Sequence, residues 1–127
     1  MLNGKNDFRS DTITEPTEEM RDAMRSARVG DDGREGDPTI RELEEYSAAL
    51  LGKEAGLFFP SGTMSNQAAL HAHTNRGDEI FVHECAHILL YEQGGAAVHS
   101  SLQTRCFGSE DGTLDPDRLS AAIKAMA

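Results

Sequence analysis

One short turn of the chain has the composition of an anion-binding site. The apolar residues 56–59 are followed by Pro60-Ser61-Gly62-Thr63 and then by a segment of helical composition. This order is typical of a buried strand that turns directly into a helix. Such a helix start presents free backbone N–H groups and the positive end of the helix dipole. Gly62 lets a ligand approach the backbone, Thr63 adds a hydroxyl, and a phosphate group fits the site. The alternative is an ordinary connection capped by Ser61 or Thr63.

A second motif, His83-Glu84-Cys85-Ala86-His87, matches the H-E-x-x-H pattern of zinc hydrolases. That pattern needs a helix, which places both histidines on one face and the glutamate beside them. Here the motif follows the apolar residues 79–82, which predict a strand, and no third ligand is evident. A zinc hydrolase is therefore the least favoured alternative, and we expect no metal site.

The overall composition limits the possible partners. The 127 residues carry a net charge of -10, which disfavours binding to nucleic acid or to anionic lipid. No apolar stretch is long enough to cross a membrane, and no signal peptide is visible. Cys85 and Cys106 lack metal or redox spacing, which indicates reduced thiols in a cytoplasmic protein.

Strand and helix patterns alternate along the chain, which predicts an α/β fold with a mostly parallel sheet covered by helices. Apolar periodicity and capping residues predict helices over residues 17–27, 37–52, 62–74, 88–92 and from 115 to the end. Strands are predicted at residues 55–59, 79–83 and 102–107. Ligands of such sheets bind at the carboxyl ends of strands, where the turn at residues 61–63 is expected to lie.

The final helix suggests that the chain continues in a longer protein. It stops at Ala127 without a capping glycine, and three strands make a thin sheet for so many helices. We therefore expect an N-terminal portion of a larger domain, while a complete small α/β domain is the alternative.

Several sequence blocks resemble one family of enzymes. In chain order they are Asp7-Phe8-Arg9-Ser10-Asp11-Thr12-Ile13-Thr14-Glu15-Pro16-Thr17, Val29-Gly30-Asp31-Asp32, Asp37-Pro38-Thr39, Leu51-Gly52-Lys53-Glu54-Ala55, Pro60-Ser61-Gly62-Thr63-Met64, Ala86-His87-Ile88, Glu92-Gln93-Gly94-Gly95-Ala96-Ala97 and Asp111-Gly112-Thr113-Leu114-Asp115-Pro116. This set resembles the low-specificity L-threonine aldolases. They belong to the β-eliminating lyase group of pyridoxal-phosphate enzymes and have the aspartate-aminotransferase-like fold (fold type I).

The resemblance implies an activity and a set of site residues. Members of the family cleave L-threonine, L-allo-threonine or related β-hydroxy-α-amino acids to glycine and an aldehyde, with pyridoxal 5'-phosphate as cofactor. Gly62 and Thr63 match the positions that hold the cofactor phosphate. His87 matches the histidine that stacks on the pyridine ring near the substrate hydroxyl, and Ser10 matches a residue near the substrate carboxylate.

The chain departs from the family pattern at two points. Arg34 stands where relatives have a tyrosine close to the substrate, so it is predicted either to bind a carboxylate or to be a solvated loop cation. Three residues of the family pattern have no match here: the Schiff-base lysine, the aspartate that pairs with the pyridine nitrogen and the arginine that binds the substrate carboxylate. Lys5, Lys53 and Lys124 lie in other contexts. We therefore expect the 127 residues alone to bind the cofactor poorly and to be inactive.

The resemblance also implies a division of the chain and an assembly. Residues 1–36 are predicted to form an N-terminal arm, a short helix and an active-site loop, and residues 37–127 part of the cofactor-binding large domain. A homodimer or homotetramer is expected for the full-length protein, with the acidic loop at residues 30–37 reaching the neighbouring subunit. A non-catalytic remnant that binds a phosphate-bearing ligand is the alternative function.

Overall fold

The computed structural model describes residues 10–124, and these fall into two compact units divided between Phe58 and Phe59. The first unit contains a short 3-10 helix, Asp11–Ile13, followed by α1, Glu18–Ser26, and α2, Pro38–Leu50. Thr17 caps α1 by accepting the N–H of Met20 at 3.3 Å. α1 and α2 confirm the helices predicted over residues 17–27 and 37–52. The predicted division after residue 36 stays a prediction.

Asp37 organises the loop between α1 and α2. It is buried; its Oδ2 accepts the N–H of Gly30 at 2.8 Å, while its Oδ1 accepts the N–H groups of Thr39 and Ile40 at 2.9 and 3.0 Å. The bond from Ile40, followed by that from Gly30, holds the pKa of Asp37 below its ordinary value of 3.8. The ionised carboxylate therefore caps α2 and closes the loop onto the same helix.

The second unit is built around a two-stranded parallel sheet. Its elements are α3, Gly62–His73; β1, Glu79–His83; α4, His87–Leu90; α5, Gly95–Ser100; β2, Gln103–Phe107; and α6, Pro116–Lys124. The register runs from Glu79 opposite Gln103 to His83 opposite Phe107. α5 lies on the crossover between the strands and contacts both α3 and β2. The buried apolar side chains of this unit are Val82, Ala96 and Leu102. The parallel pairing predicted for residues 79–83 and 102–107 is confirmed.

An ion pair joins the two strands. The Nε and Nη2 atoms of Arg105 each lie 2.9 Å from Oε1 of Glu79, whose side chain is only 7% exposed. The Arg105 guanidinium also lies over the Phe81 ring, 5.7 Å from its centroid. Glu79 is the diagonal neighbour of Arg105 across the register and Phe81 lies directly opposite Arg105, so the cluster holds the strands in that pairing.

The strand predicted at residues 55–59 is wrong. The segment is irregular, with Leu57 73% exposed and Phe58 45% exposed. The Phe58 N–H is bonded to a side chain, Oε1 of Glu44, at 2.7 Å. A strand requires a neighbour for its backbone groups, and within residues 10–124 no strand lies beside this segment. The described sheet therefore has two strands rather than three.

None of the helices in the described range combines the length and the apolar composition needed to cross a membrane.

We expect Asp37→Ala to lower the melting temperature of the protein by about 5 °C, because three backbone N–H groups lose their acceptor. Asp32→Ala is the matched control: it removes the same charge from an exposed position of the same loop. Thermal unfolding followed by circular dichroism measures both. Equal shifts for the two variants would show that loop charge, and not the cap, is responsible.

Candidate functional site

The first turn of α3 has hydrogen-bond donors that lack a partner among the described residues. Ser61 is the N-cap, and its Oγ accepts the N–H of Met64 at 3.1 Å. The N–H groups of Gly62 and Thr63, and the Thr63 hydroxyl, have no bonding partner among the described residues. The helix start predicted at this turn is therefore confirmed, with Ser61 rather than Thr63 as its cap. Two N–H groups at the positive end of a helix favour an anion.

The space beside Gly62 is open. A Cβ built on this glycine would meet no atom within 4 Å, so the protein's own packing does not require a glycine here. The absence of a side chain leaves room for a group that approaches the backbone closely. A phosphate fits this combination of free N–H groups, a free hydroxyl and open space.

A buried carboxylate, Glu92, lies beside the same helix. Its side chain is 0% exposed, and its Oε1 accepts hydrogen bonds from Nδ2 of Asn66 at 2.7 Å and from Nδ1 of His87 at 2.8 Å. Its Oε2 accepts a bond from Nε2 of Gln67 at 2.6 Å. Burial alone raises the pKa of Glu92, but the bonds from Asn66, Gln67 and His87 outweigh burial and hold it below its ordinary value of 4.5. The carboxylate is therefore ionised at neutral pH.

A tight turn brings Glu92 to this position. Gln93 and Gly94 have left-handed backbone angles, with φ of 56° and 74°, and the N–H of Gly95 donates to the Glu92 carbonyl at 2.8 Å. Gly95 allows α5 to approach α3 closely, because a Cβ at this position would lie 2.7 Å from the side-chain amide carbon of Gln67. The two glycines thus allow Gln67 and Glu92 to meet.

His87 begins α4 and is tethered by one edge of its ring. Nδ1 is held by Glu92, while 59% of the side chain is exposed. The Tyr91 ring lies 5.2 Å away, tilted by 44°. Asn66 follows Gly62 by four residues, a rise of about 6 Å along α3. Glu92 therefore links the imidazole to the helix whose first turn carries the free N–H groups.

The H-E-x-x-H motif is divided between different elements. His83 ends β1, where its Nδ1 accepts the Cys85 N–H at 3.1 Å and its Nε2 lies 3.1 Å from the Ser109 carbonyl oxygen. His87 begins a separate helix. The two histidines thus lack the shared helical face of a zinc hydrolase, and residues 10–124 contain no cluster of three metal-ligating side chains.

Ser10 and Arg34, the predicted substrate-binding residues, lie in the first unit. The Ser10 Oγ caps the 3-10 helix by accepting the Thr12 N–H at 3.2 Å. The Arg34 side chain is 82% exposed, and its Nε lies 3.6 Å from Oδ2 of Asp31. Their substrate roles stay predictions. Gly62, Thr63 and His87 all lie in the second unit, and their roles toward the cofactor stay predictions as well.

The sequence patterns did not single out Glu92 and its two amide partners as candidate site residues. One signal was present: Glu92 is the only Asp, Glu, Lys or Arg between Glu84 and Arg105, in a chain of which 27% is charged. A single charge within an otherwise uncharged segment indicates a buried, partnered group. Asn66 and Gln67 gave no such signal, because amides are common on exposed helix faces.

Comparisons with known proteins identify the family to which the chain is similar. The sequence profile of the family described as beta-eliminating lyase matches residues 7–127. The chain is 47% identical over 119 residues to the low specificity L-threonine aldolase of Escherichia coli (strain K12), covering 93% of this chain and 36% of that protein. It is 45% identical over 120 residues to the low-specificity L-threonine aldolase 1 of Arabidopsis thaliana, covering 93% of this chain and 34% of that protein.

A solved structure shows the same fold. It is that of a putative aromatic amino acid beta-eliminating lyase/threonine aldolase from Exiguobacterium sp. 255-15, with a TM-score of 0.56 and 31% identity over 66% of this chain and 24% of that one. The predicted fold class, the α/β large domain of aspartate-aminotransferase-like enzymes, is confirmed, as is the resemblance to threonine aldolases. The chain spans about a third of the length of the relatives named above.

We expect Glu92→Gln to lower the melting temperature by about 5–10 °C at pH 7, because hydrogen bonds to a charged acceptor are lost. The folded-state pKa of Glu92 is depressed, so its stabilising effect is present above pH 4.5 and is lost as the pH falls through the folded-state value. The difference in melting temperature between the wild type and Glu92→Gln should therefore disappear at acid pH.

Thermal unfolding from pH 7 to pH 3 measures that difference. Glu110→Gln, which removes an exposed carboxylate of the same unit, is the matched control and should show no such difference. A difference for Glu92→Gln that stays constant over this pH range would contradict ionisation of Glu92 in the folded chain.

Proposed function

Because the chain belongs to the beta-eliminating lyase family, we propose that it provides part of the active site of a pyridoxal-phosphate-dependent carbon–carbon lyase. The proposed substrates are β-hydroxy-α-amino acids, L-threonine and L-allo-threonine among them, and the products are glycine and an aldehyde. This assignment follows the relatives named above, which are low-specificity L-threonine aldolases.

One observation carries the proposal: the open N-terminus of α3 and the exposed ring of His87 are joined through Glu92. The N–H groups of Gly62 and Thr63 and the Thr63 hydroxyl would bind the cofactor phosphate. The flat face of His87 would pack against the pyridine ring. Both groups suit the cofactor, since one end of it is an anion and the other an aromatic ring.

The cofactor and the protein side chains would supply different parts of the chemistry. The cofactor, when bound, supplies the electron sink for cleavage of the Cα–Cβ bond. His87 would receive the proton of the substrate hydroxyl, as general base. Ser10 and Arg34 remain the proposed contacts of the substrate carboxylate; Arg34 is held only loosely, by Asp31 at 3.6 Å, and its guanidinium suits a carboxylate.

The full-length enzyme is proposed to be a homodimer or homotetramer, with the loop at residues 30–37 reaching the neighbouring subunit. Exposed apolar side chains on α1 support such an interface: Met20 is 56% exposed and Met24 is 60% exposed. The cytoplasm is the proposed location. Both cysteines are free and exposed, and such thiols persist in reducing compartments.

We expect the full-length protein, loaded with pyridoxal phosphate, to convert L-threonine and L-allo-threonine to glycine and acetaldehyde. His87→Asn should lower kcat by about 10²-fold or more, because the general base is lost. His73→Asn, at the exposed C-terminal end of α3, is the matched control and should leave kcat unchanged. Coupled detection of acetaldehyde measures the rate.

Two results would contradict the proposal. Wild-type protein that binds pyridoxal phosphate but cleaves none of these substrates would favour the alternative, a non-catalytic protein that binds a phosphate-bearing ligand. An unchanged kcat for His87→Asn would remove the histidine from the reaction.

A further inference from the structure

We propose that Glu92 is a positioning residue that fixes His87 as the tautomer protonated on Nδ1, so that Nε2 is its proton-accepting nitrogen. The tautomer follows from the contacts of Glu92 alone. Its consequence for catalysis rests on the function proposed above.

The donors around Glu92 determine which nitrogen carries the proton. An ionised carboxylate only accepts hydrogen bonds, and Nδ1 of His87 lies 2.8 Å from its Oε1. A short contact between two acceptors would be repulsive, so Nδ1 must carry a hydrogen. In the neutral ring Nε2 is then without one.

The two amides show that the carboxylate is the acceptor of the cluster. Asn66 and Gln67 both direct their NH2 groups at Glu92, at 2.7 and 2.6 Å. Gln67 does so although its buried Oε1 then has no partner among the described residues. A protonated Glu92 would instead need an acceptor, which a turned Gln67 amide could supply. The arrangement therefore fits an ionised Glu92 that requires all three donors.

The arrangement also fixes the direction of the ring. His87 is otherwise exposed and is tethered only at Nδ1, whereas Glu92 is fully buried and held by two residues of α3. The covalent link to the backbone and the hydrogen bond at Nδ1 together hold the imidazole in one orientation. A carboxylate behind a histidine orients the ring, sets its tautomer and stabilises the imidazolium that forms when Nε2 accepts a proton.

In the proposed reaction the proton of the substrate hydroxyl moves to Nε2 of His87, while the Nδ1 hydrogen stays on its bond to Glu92. The positive charge gained by the imidazole is balanced by the buried carboxylate. Glu92 itself takes up no proton and contacts no reacting atom.

The first test is ¹⁵N NMR of the wild-type chain labelled in its histidine side chains, at a pH where the imidazoles are neutral. The His87 signals are identified by their loss in His87→Asn. We expect a protonated Nδ1 and an unprotonated Nε2. A ring protonated mainly on Nε2 would overturn the proposal, and since this measurement needs no substitution at Glu92, it decides the matter even if variants there do not fold.

The second test compares Glu92→Gln with Glu110→Gln by the same spectra. We expect Glu92→Gln to give the mixture of tautomers of an untethered imidazole, because one amide oxygen then faces three donors. Glu110→Gln should leave the His87 signals unchanged. A fully Nδ1-protonated His87 in folded Glu92→Gln would show that another group sets the tautomer.

The catalytic consequence is measured in the loaded full-length enzyme. Glu92→Gln should lower kcat at least about tenfold while KM changes less, and it should alter the acid limb of the pH–rate profile. Unchanged kcat and pH profile would overturn the catalytic half of the proposal. If wild-type enzyme shows no cleavage at all, the proposed function fails, whereas the NMR result still decides the role of Glu92.

Discussion

A buried carboxylate is costly unless hydrogen-bond donors surround it, and Glu92 draws its donors from two separate helices. Asn66 and Gln67 come from α3, and His87 comes from the start of α4. All three donors reach the carboxylate in the arrangement of α3 and α4 that the structure shows. Because the Glu92 carboxylate needs all three donors, it holds α3 and α4 together in the candidate site.

Helix α3 serves the site in two ways. Its first turn offers the N–H groups of Gly62 and Thr63, and its next turn grips Glu92 through two adjacent amides. Because both features belong to one rigid helix, a shift of the anion site would also shift the imidazole. The close approach of α5, which Gly95 permits, completes the support. The site thus depends on packing between short elements more than on a large apolar core.

Local patterns in the sequence predicted the elements well and the long-range contacts poorly. The cap residues Thr17 and Asp37 and the turn at Ser61 mark helix starts, because a cap depends only on the next few residues. The strand at residues 55–59 was predicted wrongly, because apolar composition indicates β-propensity but not a pairing partner. Gly62, Thr63 and His87 were predicted from a local turn and a family resemblance, and their roles toward the cofactor stay predictions. The partnership of Glu92 with Asn66 and Gln67 joins residues more than twenty positions apart, which no local pattern reveals.

We propose that the start of α3 binds a phosphate while the imidazole linked to it through Glu92 faces an aromatic ring. NMR titration of the full-length protein with pyridoxal phosphate tests this proposal, with inorganic phosphate and pyridoxal as the two partial ligands. We expect pyridoxal phosphate and inorganic phosphate to shift the backbone amide signals of Gly62 and Thr63. Of the two, only pyridoxal phosphate should also shift the ring signals of His87 strongly. Amide shifts located elsewhere in the chain, or His87 signals that stay unchanged while Gly62 and Thr63 respond, would contradict it.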